Sequence, residues 1–215
     1  MNKIKYKLNV GKIAVIHCIE HHNRKVELEK MFKSLNITND VEISECSTFP
    51  LVMVQDENLR NVLSKYFDRL DKSHDHIIRS FNALLNTYQL INKYYNQGCE
   101  TLLLCEDDLY ITDINKLNEY INNAPKDYDA IIFNCVDYKN INNEFTRLEN
   151  CWYGGAYCVL YNRSGMKAYL DKAQTYFTYC DTILWSLTTD PSLHIYCPTS
   201  RVVDLNVNTP SEIDD

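Results

Sequence analysis

The run TLLLC at residues 101–105 passes without a spacer into Glu106-Asp107-Asp108. Successive side chains of a strand point to opposite faces, so three consecutive leucines make a strand apolar on both sides. Such a strand needs cover on both faces, which is the condition of a sheet sandwiched between helices. KIAVIHC at residues 12–18 and DAIIFNC at residues 129–135 repeat the pattern. Each is too short for a helix and rich in the β-branched residues that suit a strand.

Between these runs the apolar spacing changes from strand-like to helical. Val26, Leu28, Met31, Phe32 and Leu35 fit one face of a helix over residues 24–35. The clearest helix carries Ile77, Ile78, Phe81, Leu84, Leu85, Tyr88, Ile91, Tyr94 and Tyr95. Ser73 or Asp75 is placed to cap it, and Gly98 to stop it. Further helices are expected over residues 114–123, over 164–173 with Ser164 as cap, and over 181–187. Further strands are expected at residues 41–46, 152–160 and 193–197. Residues 50–71 suit a short helix or a lid-like loop. Alternating strands and helices predict an α/β domain, a Rossmann-type arrangement with a central, mostly parallel sheet. One domain over residues 1–215 is expected, with its core over about 12–198 and a tail over 199–215 that frays at its acidic end. No internal repeat or low-complexity linker interrupts it.

Composition narrows the partners. A net charge of -7 argues against gripping nucleic acid, which takes a basic face. Nine cysteines without a Cys-x-x-Cys pair suit free thiols in a reducing cytoplasm. No secretory pattern opens the chain, and the apolar stretch at residues 13–19, broken by His17, is too short to span a bilayer.

The chemistry points to the acidic run. Ligands of open α/β sheets sit beyond the carboxyl ends of the strands, and Glu106 to Asp108 lie at such an end. Two like charges about 4 Å apart repel by roughly 1 kcal/mol in water and several-fold more when partly buried. A divalent cation removes that cost. Alternation along an extended chain turns Glu106 and Asp108 to one side and Asp107 to the other. Oxygen-only ligation suits Mn²⁺ or Mg²⁺, and two carboxylates leave positions for diphosphate oxygens. A solvated acidic turn is the plain alternative.

Three segments in order carry a resemblance. Ser80-Phe-Asn-Ala83 precedes Leu104-Cys-Glu-Asp-Asp-Leu109. Gly154-Gly-Ala-Tyr157 leads through Tyr161-Asn-Arg-Ser-Gly165 into a helix. Asp181 then precedes Leu184-Trp185 and Tyr196-Cys-Pro198. Over most of the chain this resembles the family-25 glycosyltransferases, which include bacterial lipooligosaccharide galactosyltransferases and relatives of procollagen galactosyltransferases. The resemblance implies a GT-A-type fold, a UDP-hexose donor, a Mn²⁺-type cofactor, inversion at the anomeric carbon, and a glycan or hydroxylated protein as acceptor. Glu106 and Asp108 take the metal role. His17, Ile19, Arg24, Ser80, Asn82 and Asp107 fall on the donor side. The opening loop departs from the family, with Ile16-His-Cys-Ile19 where Asn-Leu is usual and Arg24 as its one clear arginine.

Transfer also needs a base and an acceptor platform. Asp181 is the candidate base, or else a helix cap. Trp152 and Tyr153 could stack on a sugar or simply pack. Gly154 and Gly155 could admit a sugar close to the backbone or form a bulge. Arg24 could pair with a phosphate, and Ser80 and Asn82 could touch the donor or only pack. A nucleotidyl- or phosphotransferase on the same acidic site, and a non-catalytic sugar-nucleotide or glycan-binding module, are the rival functions.

Overall fold

The computed structural model describes residues 5–19, 21–46, 74–135, 143–150, 155, 157–175 and 180–206, with backbone alone at 46 and 74–81. Residues 50–71, read as a short helix or a lid-like loop, and the residues Trp152, Tyr153 and Gly154 lie outside them.

Three neighbouring strands form one parallel part of the sheet. β1 (Lys12–Cys18) lies between β2 (Val41–Cys46) and β3 (Thr101–Glu106). The doubly apolar pattern resolves residue by residue. Ala14, Ile16, Leu102 and Leu104 enter one core, while Ile13, Val15, Leu103 and Cys105 enter the other. The first core is roofed by α2 (His74–Asn96), α4 (Arg163–Thr175) and α5 (Cys180–Thr188), the second by α1 (His22–Ser34) and α3 (Ile114–Asn122).

Beyond β3 the sheet becomes mixed. β7 (Cys158–Asn162) runs antiparallel between β3 and β5 (Ala130–Ile132), β8 (Ile195–Pro198) is parallel to β5, and β6 (Phe145–Arg147) closes the edge antiparallel to β8. The order is β2-β1-β3-β7-β5-β8-β6. The expected α/β sheet, mostly parallel and covered on both faces, is therefore present. Strand direction was not legible, because a buried strand has the same apolar pattern either way. The expected strand over 129–135 is curtailed at Ile132, where Phe133 and Asn134 turn.

A second, two-stranded sheet pairs β4 (Leu109–Ile111) with β9 (Val203–Leu205). Val202 and Val203 are wholly buried, so packed structure continues beyond Pro198 into the stretch read as tail.

Local signals explain several helix ends. Gly98 sits at φ +76, and the Gly98 and Cys99 amides donate to the Tyr95 and Tyr94 carbonyls. That left-handed turn ends α2 without a Cβ penalty. Asp113 caps α3 by accepting from the Lys116 amide at 3.0 Å. At α4 the expected cap, Ser164, lies two residues too late. Asn162 Oδ1 accepts from the Gly165 amide at 2.8 Å, and Ser164 instead donates to Asn162 and to Asp129.

Gly165 is where α4 meets the sheet. A Cβ placed there would lie 1.8 Å from the Asp129 carbonyl oxygen. Backbone cannot swing aside as a side chain can, so the helix itself would have to move. Gly165→Ala is expected to destabilise the fold by about 2 kcal/mol or more, measured as a lowered midpoint in urea. An unchanged midpoint would show that this approach is not a tight one.

Candidate active site

The site is built at one end of the large sheet. β1 and β3 deliver their carboxyl ends there, and antiparallel β7 delivers its amino end. The Glu106 amide donates to the Tyr157 carbonyl at 3.1 Å, fixing the last residue of β3 against the approach to β7. After Glu106 the chain turns, so the two aspartates stand on a turn held by strands on both sides.

Asp107 points back into the protein and is 6% exposed. Its Oδ2 lies 2.8 Å from His17 Nδ1 and accepts from the Cys18 amide at 3.0 Å. Its Oδ1 accepts from Arg24 at 3.1 Å. One carboxylate thus ties the end of β1, the start of α1 and the end of β3 together. His17 and Arg24 were expected on the donor side. Here both are buried, His17 1% and Arg24 8% exposed, and both are engaged with Asp107. Arg24 also reaches Asp108 Oδ2 at 3.7 Å. The apolar face expected of α1 is rotated accordingly: Arg24, Leu28, Met31 and Phe32 are buried, while Val26 is half-exposed.

Asp108 is 7% exposed, and its Oδ1 is buried with no hydrogen-bond partner among the described residues. Its backbone carbonyl accepts from the Asn206 amide at 2.7 Å, so β9 supports the turn from beneath. Burial raises the Asp108 carboxyl and Asp107 adds to the rise, against the lowering pull of Arg24. Glu106 is pushed up to about 8, first by loss of solvent, then by the charges of Asp108, Asp107 and Asp181, with Arg24 opposing.

That influence also locates Asp181. It sits in the first turn of α5, within the electrostatic reach of Glu106, and its Oδ1 accepts from the Thr182 amide at 2.7 Å. Glu106 at the strand end, the two aspartates on the turn and Asp181 from α5 therefore share one region. Among the described residues, no three of His, Cys, Asp and Glu are gathered closely enough to hold an ion by themselves. Glu106 and Asp108 would supply two oxygen donors, one with an unpartnered buried oxygen, and the remaining positions would fall to water or ligand oxygens. A hard dication such as Mn²⁺ or Mg²⁺ fits this donor set.

The other expected residues are placed less closely. Ile19 lies in the turn after β1, and Ser80 and Asn82 lie on α2, with Asn82 half-buried. Gly155 has φ +73, and its carbonyl accepts from Asn134 at 3.3 Å. A side chain would be strained at that left-handed φ, which glycine adopts freely.

Three contributors were not singled out as site residues. Tyr157 lies within the electrostatic reach of Asp204, Arg201 and Asp108. Burial and Asp204 push the Tyr157 hydroxyl up to about 12, Arg201 counters, and Asp108 adds to the rise. Arg201 pairs with Asp204 at 2.8 Å. Val203-Asp204-Leu205 is too short a strand to show a period, so the sequence offered no signal for it. On the α4 side, the Tyr169 hydroxyl is buried without a hydrogen-bond partner among the described residues; burial raises it first, and Cys180, Tyr161, Asp181 and Glu106 add to the rise.

No protein-family profile matches the chain, and no characterised protein matches it in sequence. Solved structures do resemble it. Mouse xyloside xylosyltransferase 1 in its apo form is 10% identical, with a TM-score of 0.47, covering 96% of this chain and all of that one. A protein from STIV is 12% identical with a TM-score of 0.40, over 89% of this chain and 83% of its own. A glycosyltransferase involved in glycosylating the major capsid of PBCV-1 is 12% identical with a TM-score of 0.32, over 84% and 68%. At these scores the likeness assigns no chemistry to this chain.

The raised Glu106 carboxyl predicts how stability varies with pH. An acid whose folded pKa lies above its unfolded value contributes most below the unfolded value and loses that contribution as pH rises toward the folded one. In chelator, thermal stability should therefore fall between about pH 4.5 and about 8. Glu106→Gln should flatten that fall and stabilise the chain by roughly 1–3 kcal/mol at the upper end. Identical pH profiles for the two proteins would contradict the assigned environment.

Proposed function

We propose that the chain is a metal-dependent glycosyltransferase that moves a hexose, galactose or glucose, from a UDP-sugar to a hydroxyl of a glycan or protein acceptor, with inversion at the anomeric carbon. The observation that carries this is the carboxylate cluster at the sheet end, with Asp108 Oδ1 buried and without a partner among the described residues and Asp181 brought into the field of Glu106. Such a cluster is costly by itself and useful to a ligand that brings positive charge. The ordered motifs from Ser80 to Pro198 add the family resemblance.

Glu106 and Asp108 would hold Mn²⁺ or Mg²⁺, and the bound ion would neutralise the leaving diphosphate. Asp181 acts as base. Its Oδ1 is held by the Thr182 amide, which leaves the second oxygen to take the acceptor hydroxyl proton. The acceptor oxygen attacks the anomeric carbon opposite the diphosphate, the new carbon–oxygen bond forms as the old one breaks, and the electron pair leaves with the diphosphate. Holding acceptor and donor in line supplies the remaining advantage. Gly155, with Trp152, Tyr153 and Gly154 beside it in sequence, is proposed for the acceptor side. Ile19, Ser80 and Asn82 are proposed for the donor side. Asp107, His17 and Arg24 serve it by fixing the acidic turn.

The test is transfer from UDP-galactose and UDP-glucose with Mn²⁺, following UDP release and the glycosylated product together. Asp181→Asn should lower transfer by about 10²–10⁴-fold with UDP binding unchanged. Asp108→Asn should abolish both. Full transfer by Asp181→Asn would remove Asp181 from the chemistry. Nucleotide cleavage without sugar transfer would favour a nucleotidyl- or phosphotransferase instead.

A further inference from the structure

One guanidinium, buried at 8% exposure, lies against two buried carboxylates. Arg24 donates to Asp107 Oδ1 at 3.1 Å and stands 3.7 Å from Asp108 Oδ2. Asp107 is already satisfied on its other oxygen by His17 and the Cys18 amide. Asp108 is different. One of its oxygens faces Arg24 at more than hydrogen-bond distance, and the other is buried with no partner among the described residues. Arg24 is therefore held firmly by Asp107 and loosely by Asp108.

We propose that Arg24 is a positioning residue acting as a built-in counter-cation. It holds the acidic turn in shape before a divalent ion arrives, and it competes with that ion for Asp108. The inference rests on the metal reading of Glu106 and Asp108 and adds a regulator of that site's affinity. Asp107 is the anchor that keeps the guanidinium from turning fully onto Asp108. A guanidinium is always charged at ordinary pH, so its opposition to a second cation is constant. Charges a few ångströms apart at a poorly solvated site interact strongly enough to shift an equilibrium tenfold or more.

Two substitutions then act in opposite directions. Arg24→Gln removes the competing charge, so Mn²⁺ should bind about tenfold more tightly. The same variant should lose thermal stability without ion and recover more on saturation than the wild type does. Asp107→Asn releases Arg24 toward Asp108, so Mn²⁺ should bind about tenfold more weakly. Arg24→Lys keeps the charge and should bind as the wild type does.

The experiment titrates Mn²⁺ alone into each protein and follows the free ion by electron paramagnetic resonance, with thermal melts alongside. Tightening in Arg24→Gln with weakening in Asp107→Asn supports the counter-cation role. Weakening in both means that Arg24 only supports the fold, and overturns it. If Arg24→Gln does not fold, Asp107→Asn and Arg24→Lys decide: unchanged affinity in the former, or a large gain in the latter, overturns the proposal. No Mn²⁺ binding by the wild type would sink the metal reading itself, an outcome distinct from any of these.

Discussion

The ion pair between Arg24 and Asp107, buried together with His17, joins two neighbouring elements to a distant third. β1 and α1 follow one another in the chain, and both meet β3 at a carboxylate some eighty to ninety residues further on. Breaking a buried pair by removing one member typically costs about 3–5 kcal/mol, because the other is left charged and unpaired. The position of Asp108 depends on it, since Asp108 is the next residue and shares the same guanidinium. From below, the Asn206 amide holds the Asp108 carbonyl. The acidic turn is thus clamped from the β1 side and from the β9 side, while Tyr157 fixes the residue before it.

Such clamping suits a site that must keep like charges together. Burial and its acidic neighbours push Glu106 up to about 8, and a cation or ligand that offsets those neighbours favours its charged form. Structural ion-pair networks perturb carboxyls as well, so a raised pKa is only a pointer to function. What distinguishes this cluster is its place at the strand ends and the Asp108 oxygen, buried with no partner among the described residues. A protein that used the turn only to hold itself together would gain nothing from burying that oxygen.

Much of the fold was legible because both faces of its strands are buried. TLLLC and KIAVIHC told where the central strands lie, and Gly98 where the long helix stops. The mixed direction of the sheet was not legible, since β7 carries the same apolar pattern whichever way it runs. β4, β6 and β9 are three residues each, too short to show a period. At the site, the acidic run was found by its composition and its place after a strand. The duties of His17 and Arg24 were not, because whether a polar side chain turns inward depends on a partner ninety and more than eighty residues away. Ser164 was misassigned as a cap for a simpler reason: Asn162, two residues earlier, is an equally good acceptor and sits at the right place.

The central claim is that the acidic turn binds a nucleotide diphosphate through a divalent cation. Calorimetric titration of UDP into the wild-type chain, with Mn²⁺ and then with chelator, tests it most directly, with Asp108→Ala as control. The account predicts binding that requires both the ion and Asp108. UDP binding that ignores both, or no UDP binding at all, would contradict it.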